Sequence, residues 1–220
     1  MAFFRRRFVA FYGGEFLEAV FENKASEGTV AKEEAKKKIA LTFDDGPNAV
    51  YTPILLEGLK KRGVKATFFL LGTEIEKNPA LVKQMDKEGH LLGVHSYKHV
   101  NFGHIDTKTA VLNITKTKEL IEEQTNKEVL FIRPPYGCWK KELDKTVPLV
   151  EVLWDVDPLD WATDSTWEIE KRVLDKVHDG CIILLHDASK SSVQAAFDII
   201  DCLQREGYKF VTVEDLILGY

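Results

Sequence analysis

Long apolar stretches are missing from this chain of 220 residues. No run approaches the roughly 18 residues that a membrane-spanning helix needs, so no integral membrane span is expected. Cysteine is scarce. Cys138, Cys181 and Cys202 form an odd set with no Cys-x-x-Cys spacing, which fits neither a disulfide framework nor a zinc-thiolate motif. Cys181 and Cys202 read as small buried apolar residues, whereas Cys138 either flanks a groove or fills space. Positive charge is not in excess: 30 Lys and Arg stand against 35 Asp and Glu, a formal net charge of −5. A nucleic-acid binder would normally show a basic face, and none is expected here. A convincing export signal is lacking as well. Arg5-Arg6-Arg7 precedes only Phe8-Val9-Ala10-Phe11-Tyr12, shorter than the ~7–15 apolar residues of a signal-peptide core.

What is present suits one domain with a sizeable core, because 45% of the residues are hydrophobic. Residues 1–37 stand apart from the rest. Phe4, Phe8, Phe11, Tyr12 and Phe16 fall near helical spacing with charges between them. That pattern predicts an amphipathic helix packed on the domain, with a membrane-surface anchor or part of a leader as the other readings. Residues 22–38 read as a polar linker ending in Lys36-Lys37-Lys38.

From residue 38 to 220 the pattern alternates, and this part reads as the domain proper. Strands are expected at 39–43, 65–71, 91–94, 129–132, 150–155, 181–185 and 209–211. Helices are expected at 52–62, 79–88, 107–125, 166–178, 191–205 and 213–218, with Pro53 in a first turn and Gly63, Gly89 and Gly207 after helix ends. Strands separated by helices pair in parallel through crossovers. About seven such strands favour a distorted (β/α) barrel over an open sheet.

In such a barrel the chemistry sits at the C-terminal ends of the strands. Five of the expected strands end in ionisable groups: Asp44-Asp45, His95 to His99, Arg133, Asp157 to Asp160, and His186-Asp187. Alone, Asp44-Asp45-Gly46-Pro47 is an ordinary turn, and two histidines four apart are an ordinary exposed pair. Converging on one mouth, they compose a site. A helical turn from the strand end would put His95 and His99 on one face, and two histidines with a carboxylate suit a divalent metal with positions left open. Asp44 and Asp45, pointing to opposite sides of a strand end, would take different tasks. One would bind the metal, and the other would accept a proton from a water whose pKa the metal lowers. Arg133 can orient a carboxylate, and His186, with an acid such as Asp160 beside it, is placed to protonate a leaving group. Tyr136 and Trp161 offer flat surfaces for a sugar ring or an acetyl methyl, while Trp139, Trp154 and Trp167 read as packing residues.

Thr42-Phe43-Asp44-Asp45-Gly46, His95-Ser96-Tyr97-Lys98-His99, Arg133-Pro134-Pro135-Tyr136, Asp157-Pro158-Leu159-Asp160-Trp161 and Leu184-Leu185-His186 resemble, in order, the five motifs of the polysaccharide deacetylase family. This is the NodB homology domain of carbohydrate esterase family 4. None of the five departs from the family pattern, and the resemblance covers roughly residues 38–220. It implies a distorted (β/α) barrel, with Asp44 as catalytic base and Arg133 holding it. It implies Asp45, His95 and His99 as ligands of one divalent ion, zinc first, with cobalt or nickel as alternatives. It implies the backbone N–H of Tyr136 on the oxyanion, His186 as general acid tuned by Asp160, and Trp161 and Leu184 lining an acetyl pocket.

The expected activity is removal of N-acetyl groups from N-acetylglucosamine units of a polysaccharide or oligosaccharide, of peptidoglycan or chitin type. Tyr136 resembles the glucosamine-type enzymes more than the muramic-acid type, which tend to carry another Arg there. Acetylxylan O-deacetylation is the alternative, and a non-catalytic carbohydrate-binding protein a more distant one. A cell-wall or extracellular substrate implies export.

Overall fold

The computed structural model describes residues 8–12, 15–19 and 37–219. Strands β1 (Phe8–Tyr12) and β2 (Glu15–Ala19) pair antiparallel, with Phe11 opposite Phe16. The helix expected over these residues is therefore corrected to a hairpin. Aromatic residues on both sides of a Gly-Gly dipeptide, with Val9 in the first strand, favour that outcome over helical spacing. Phe4 and the linker residues 22–36 lie outside the described residues.

Seven parallel strands follow: β3 (Lys38–Asp44), β4 (Thr67–Leu70), β5 (Leu91–Val94), β6 (Phe131–Ile132), β7 (Val150–Glu151), β8 (Ile182–His186) and β9 (Lys209–Val211). Their order is β7-β6-β5-β4-β3-β8, with β9 also on β3. β9 runs along residues 38–40 of β3 and β4 along residues 42–44. The Val213 N–H, just past β9, donates to Thr67 Oγ1 at 3.0 Å, so one strand ends where the other begins. The helices are α1 (Tyr51–Lys61), α2 (Gly72–Lys77), α3 (Pro79–Lys87), α4 (Thr107–Thr125), α5 (Thr166–Leu174), α6 (Lys190–Arg205) and α7 (Val213–Leu218). α2 has no counterpart in the sequence reading, because six residues with one large apolar side chain show no periodicity.

Strand alternation sorts the side chains. On β3, Ile39, Leu41 and Phe43 join Leu55, Leu56 and Leu59 of α1 and Ile199, Ile200 and Leu203 of α6 in the outer core. Ala40, on the other face, joins Phe69, Phe131, Val152, Ile182 and Val213 inside the barrel. Burying each large apolar side chain contributes about 1.5–3 kcal/mol, so this double core carries most of the stability. Asp44 and His186 lie opposite each other in register at the upper ends of β3 and β8, on the inward-facing positions.

The ring closes in an unusual way. The expected strand at 150–155 is a strand only over β7. Beyond it, the Val152 N–H still donates to the Ile132 carbonyl (2.8 Å), but the Asp155 N–H donates to the Ile182 carbonyl (2.9 Å) and the Leu184 N–H to the Val156 carbonyl (2.9 Å). The segment thus leaves β6 and crosses to β8, so a single crossing replaces an eighth strand. Among the described residues no helix is long and apolar enough to cross a membrane.

Candidate active site

The loops above the strand ends hold unusual backbone. Asp45 (φ 71°), Ser96 (φ 69°), His99 (φ 55°), Tyr136 (φ 61°) and Leu159 (φ 54°) are left-handed although none is glycine. Such residues cost of order 1–3 kcal/mol each and persist where the surroundings fix them. They also correct two expectations. His95 and His99 do not converge through a helical turn; the two left-handed residues between β5 and the next turn fold the loop back. Asp44 and Asp45 do not point to opposite faces, because the chain leaves the strand at Asp45 and turns its carboxylate toward His95.

Asp44 is buried at the end of β3. Its Oδ1 accepts from Arg133 Nη1 at 2.8 Å, and its Oδ2 lies 3.7 Å from His95 Nε2. Arg133 is wholly buried. Besides Asp44 it donates to Thr42 Oγ1 (2.7 Å) and to the carbonyls of Val152 (3.2 Å) and Leu153 (3.1 Å), and its guanidinium lies 4.3 Å from the Phe69 ring centre. Every donor direction it uses thus meets the crossing segment or the end of β3.

Beside this pair, Asp45 Oδ1 stands 3.5 Å from both His95 Nε2 and His99 Nε2. That oxygen is buried and has no hydrogen-bond partner among the described residues. The His95 Nδ1–H donates to the Arg133 carbonyl at 2.6 Å, which leaves the Nε2 lone pair aimed at Asp45. Burial pulls the His95 pKa down against the opposing pull of Asp44 and Asp45, so the ring is neutral. An orphaned carboxylate oxygen facing two imidazole lone pairs is unfavourable alone and is satisfied at once by a cation. These three residues fit a divalent metal, and their donor atoms all lie within 4.8 Å of one another.

The loop that carries the histidines is braced from α2 and α4. The N–H groups of Gly72 and Thr73 donate to the carbonyls of Ser96 and Tyr97, each at 3.1 Å. Tyr97 donates to Glu76 Oε2 at 2.8 Å, and Lys116 reaches Glu76 Oε1 at 3.0 Å. Gly72 has to be glycine, since a Cβ there would stand 2.2 Å from the Tyr97 ring.

Across the mouth, His186 is fixed by a buried Asp160. Asp160 Oδ2 accepts the His186 backbone N–H and Oδ1 accepts the ring Nδ1–H, both at 2.8 Å, leaving Nε2 4.0 Å from Asp45 Oδ2. Burial works to lower the His186 pKa, but the hydrogen bond and charge of Asp160, with the charges of Asp44 and Asp45, push it up to about 9.

Tyr136 and Trp161 are 63% and 69% exposed at the rim. Leu184 is buried two residues below His186, opposite Thr42. Trp167 does not serve packing as expected: it is 66% exposed in the first turn of α5. Trp139 and Trp154 do pack, Trp139 edge-on to Phe102 and Trp154 beside the Arg133 guanidinium. Cys181 is buried, whereas Cys202, expected to be buried, is half-exposed, as is Cys138.

Two features were missed by reading the sequence. Thr42 bridges Arg133 to the Ile183 carbonyl, to which its hydroxyl donates at 2.7 Å. Asp187 lies buried beneath Gly46, where it accepts from Thr52 Oγ1, and its Oδ1 has no partner among the described residues. Burial, with the nearby Asp45 charge, raises its carboxyl to about 6 despite the Thr52 hydrogen bond. Their sequence signals were that Thr42 opens the Asp44 motif and that Asp187 follows His186 at the end of a strand.

A parallel-strand barrel with a candidate metal cluster, a buried Arg–Asp pair and an Asp-held histidine around one mouth defines the class to which the chain is compared. Residues 31–150 match the sequence profile of the polysaccharide deacetylase family, and the chain belongs to that family. It is 38% identical over 187 residues to the peptidoglycan-N-acetylglucosamine deacetylase PgdA of Listeria monocytogenes, covering 85% of this chain and 40% of that one. It is 37% identical over 190 residues to a peptidoglycan-N-acetylglucosamine deacetylase of Bacillus cereus, covering 83% and 89%. The solved structure of the peptidoglycan deacetylase PdaC of Bacillus subtilis superposes with a TM-score of 0.81 at 40% identity, over 83% of this chain and 90% of that one. The chain spans about 40% of the length of the first curated relatives it matches.

Proposed function

We propose that this protein hydrolyses N-acetyl groups on N-acetylglucosamine units of a cell-wall polysaccharide of peptidoglycan type, with residues 38–220 as the catalytic domain. The observation that carries the reading is the placement of Asp44, held by Arg133 at 2.8 Å, beside the Asp45–His95–His99 cluster. Asp45, His95 and His99 hold one divalent ion, for which zinc suits the two imidazoles and one carboxylate best. When bound, the ion supplies a Lewis acid and lowers the pKa of a water.

The chain's own residues do the rest. Asp44 takes the proton of the attacking water through Oδ2, the oxygen that Arg133 leaves free. The backbone N–H of Tyr136 receives the charge that develops on the carbonyl oxygen. His186, protonated at neutral pH, gives its Nε2 proton to the departing amine, while Asp160 holds the ring in place. Trp161 and Leu184 enclose the acetyl methyl, and the exposed Tyr136 ring faces the sugar. The curated relatives include enzymes named for glucosamine and for muramic acid; Tyr136 supports the glucosamine type. A cell-wall substrate implies action outside the membrane.

Acetate release from chitin oligomers and from peptidoglycan, with chelation and zinc add-back, tests the reading. Metal-dependent release is expected. Release from acetylxylan alone would move the assignment to an O-deacetylase. Unchanged carbohydrate affinity in Asp44→Asn, with no release by the parent protein, would leave only a binding module.

A further inference from the structure

The two histidines of the cluster are supported in different ways. His95 Nδ1 is fixed by the Arg133 backbone carbonyl, in a buried position no side chain can alter. Among the described residues His99 has no backbone partner at that nitrogen. Its Nδ1 lies 3.2 Å from the Tyr136 hydroxyl, and the two rings meet edge to face with centres 4.7 Å apart. His99 is also left-handed, in a loop whose other residues are anchored through Tyr97 and Ser96.

We propose that the Tyr136 hydroxyl is a positioning group for the metal centre, accepting the Nδ1–H of His99 and so presenting the His99 Nε2 lone pair to the ion. This rests on the reading that Asp45, His95 and His99 hold a metal. A histidine ligand needs its second nitrogen held, both to fix the tautomer and to stop the ring turning, and losing that partner costs 10–100-fold in metal affinity in other sites. Tyr136 is suited to this because, left-handed at φ 61° in the turn after β6, it lays its ring and hydroxyl against His99. The consequence is that a residue facing the sugar with its ring also holds the metal with its hydroxyl. Binding of ion and substrate then share one side chain.

The test is the zinc affinity of the chelator-stripped protein, read by competition with a chromophoric chelator and independent of turnover. Tyr136→Phe keeps the ring and its edge contact but removes the acceptor. It is expected to raise the zinc dissociation constant about 10-fold. In a His99→Ala background, where affinity is already reduced, Tyr136→Phe is expected to add no further loss. An unchanged dissociation constant in Tyr136→Phe overturns the proposal, and so does an equal loss in the His99→Ala background, which would mean that the effect does not pass through His99. If the parent protein binds no zinc at all, it is the underlying reading of the cluster that fails.

Discussion

Asp160 holds His186 at two points, accepting both its backbone N–H and its ring Nδ1–H at 2.8 Å. The ring can neither rotate nor change tautomer without breaking a buried charge-assisted hydrogen bond, and its proton sits on the nitrogen facing the mouth. A general acid works while protonated, so activity is expected to fall as pH rises through the His186 pKa. The protein alone places that near 9, and a cation bound at Asp45 pulls it lower. Asp160→Asn removes the largest upward influence, and the alkaline limb of kcat/KM against pH is expected to move down by more than about one unit. A limb that stays in place would show that another group donates the proton.

The Arg133–Asp44 pair gives a second expectation. Arg133→Met strands a buried carboxylate and opens the contacts to Val152 and Leu153, so a loss of about 3–5 kcal/mol in urea unfolding is expected along with activity. Asp44→Asn keeps an acceptor for Arg133. Its activity is expected to fall about 10²–10⁴-fold, with a stability loss well below that of Arg133→Met. Equal stability losses in the two variants would argue against this division of roles.

His90 sets an acid limit on stability. It is buried, its Nδ1 accepts the Ala66 N–H at 3.1 Å, and burial, helped by Lys65, lowers its pKa to about 4. Between this value and the unfolded value near 6.5 the unfolded chain binds the proton and the folded one does not. Stability is therefore full above about pH 6.5 and falls as pH drops toward 4, by about 3 kcal/mol in all. His90→Gln retains an acceptor that does not titrate. Between pH 7 and 5 the parent is expected to lose about 2 kcal/mol more than the variant in urea unfolding.

Metal removal provides the fourth. An ion at 100 times its dissociation constant stabilises by about 2.7 kcal/mol, which in a domain of this size corresponds to roughly 5–10 °C in Tm. Chelation is expected to lower Tm by that amount, and zinc to restore it. In His95→Ala the chelated and zinc-loaded proteins are expected to melt together.

Much of this was legible because apolar strands end abruptly in ionisable residues. Ile39 to Phe43 runs straight into Asp44, and Ile182 to Leu185 into His186, so both the strands and the mouth follow from one pattern. The pattern is blind to backbone that propensity disfavours. Ser96 and His99 in left-handed conformations look like any other loop residues in a sequence, and a helical turn was the natural expectation. α2 was missed because it is held by Gly72 and Glu76 meeting Tyr97, contacts between segments that no local period records. The N-terminal aromatics fit two periods at once, and strand pairing decided between them.

The crossing at residues 152–156 has a consequence for how such a chain ages. Arg133 is both the neighbour of Asp44 and a side-chain rivet that, beside the backbone hydrogen bonds, joins the crossing segment to the rest of the barrel. A gene copy released from selection for chemistry still has to fold. Asp45 and His99 are then freer to drift, since neither joins the crossing segment to β8, whereas Arg133 stays under the constraint of folding. The order in which the motif residues erode in a silent descendant is thus set by the mechanics of ring closure as much as by their part in the reaction.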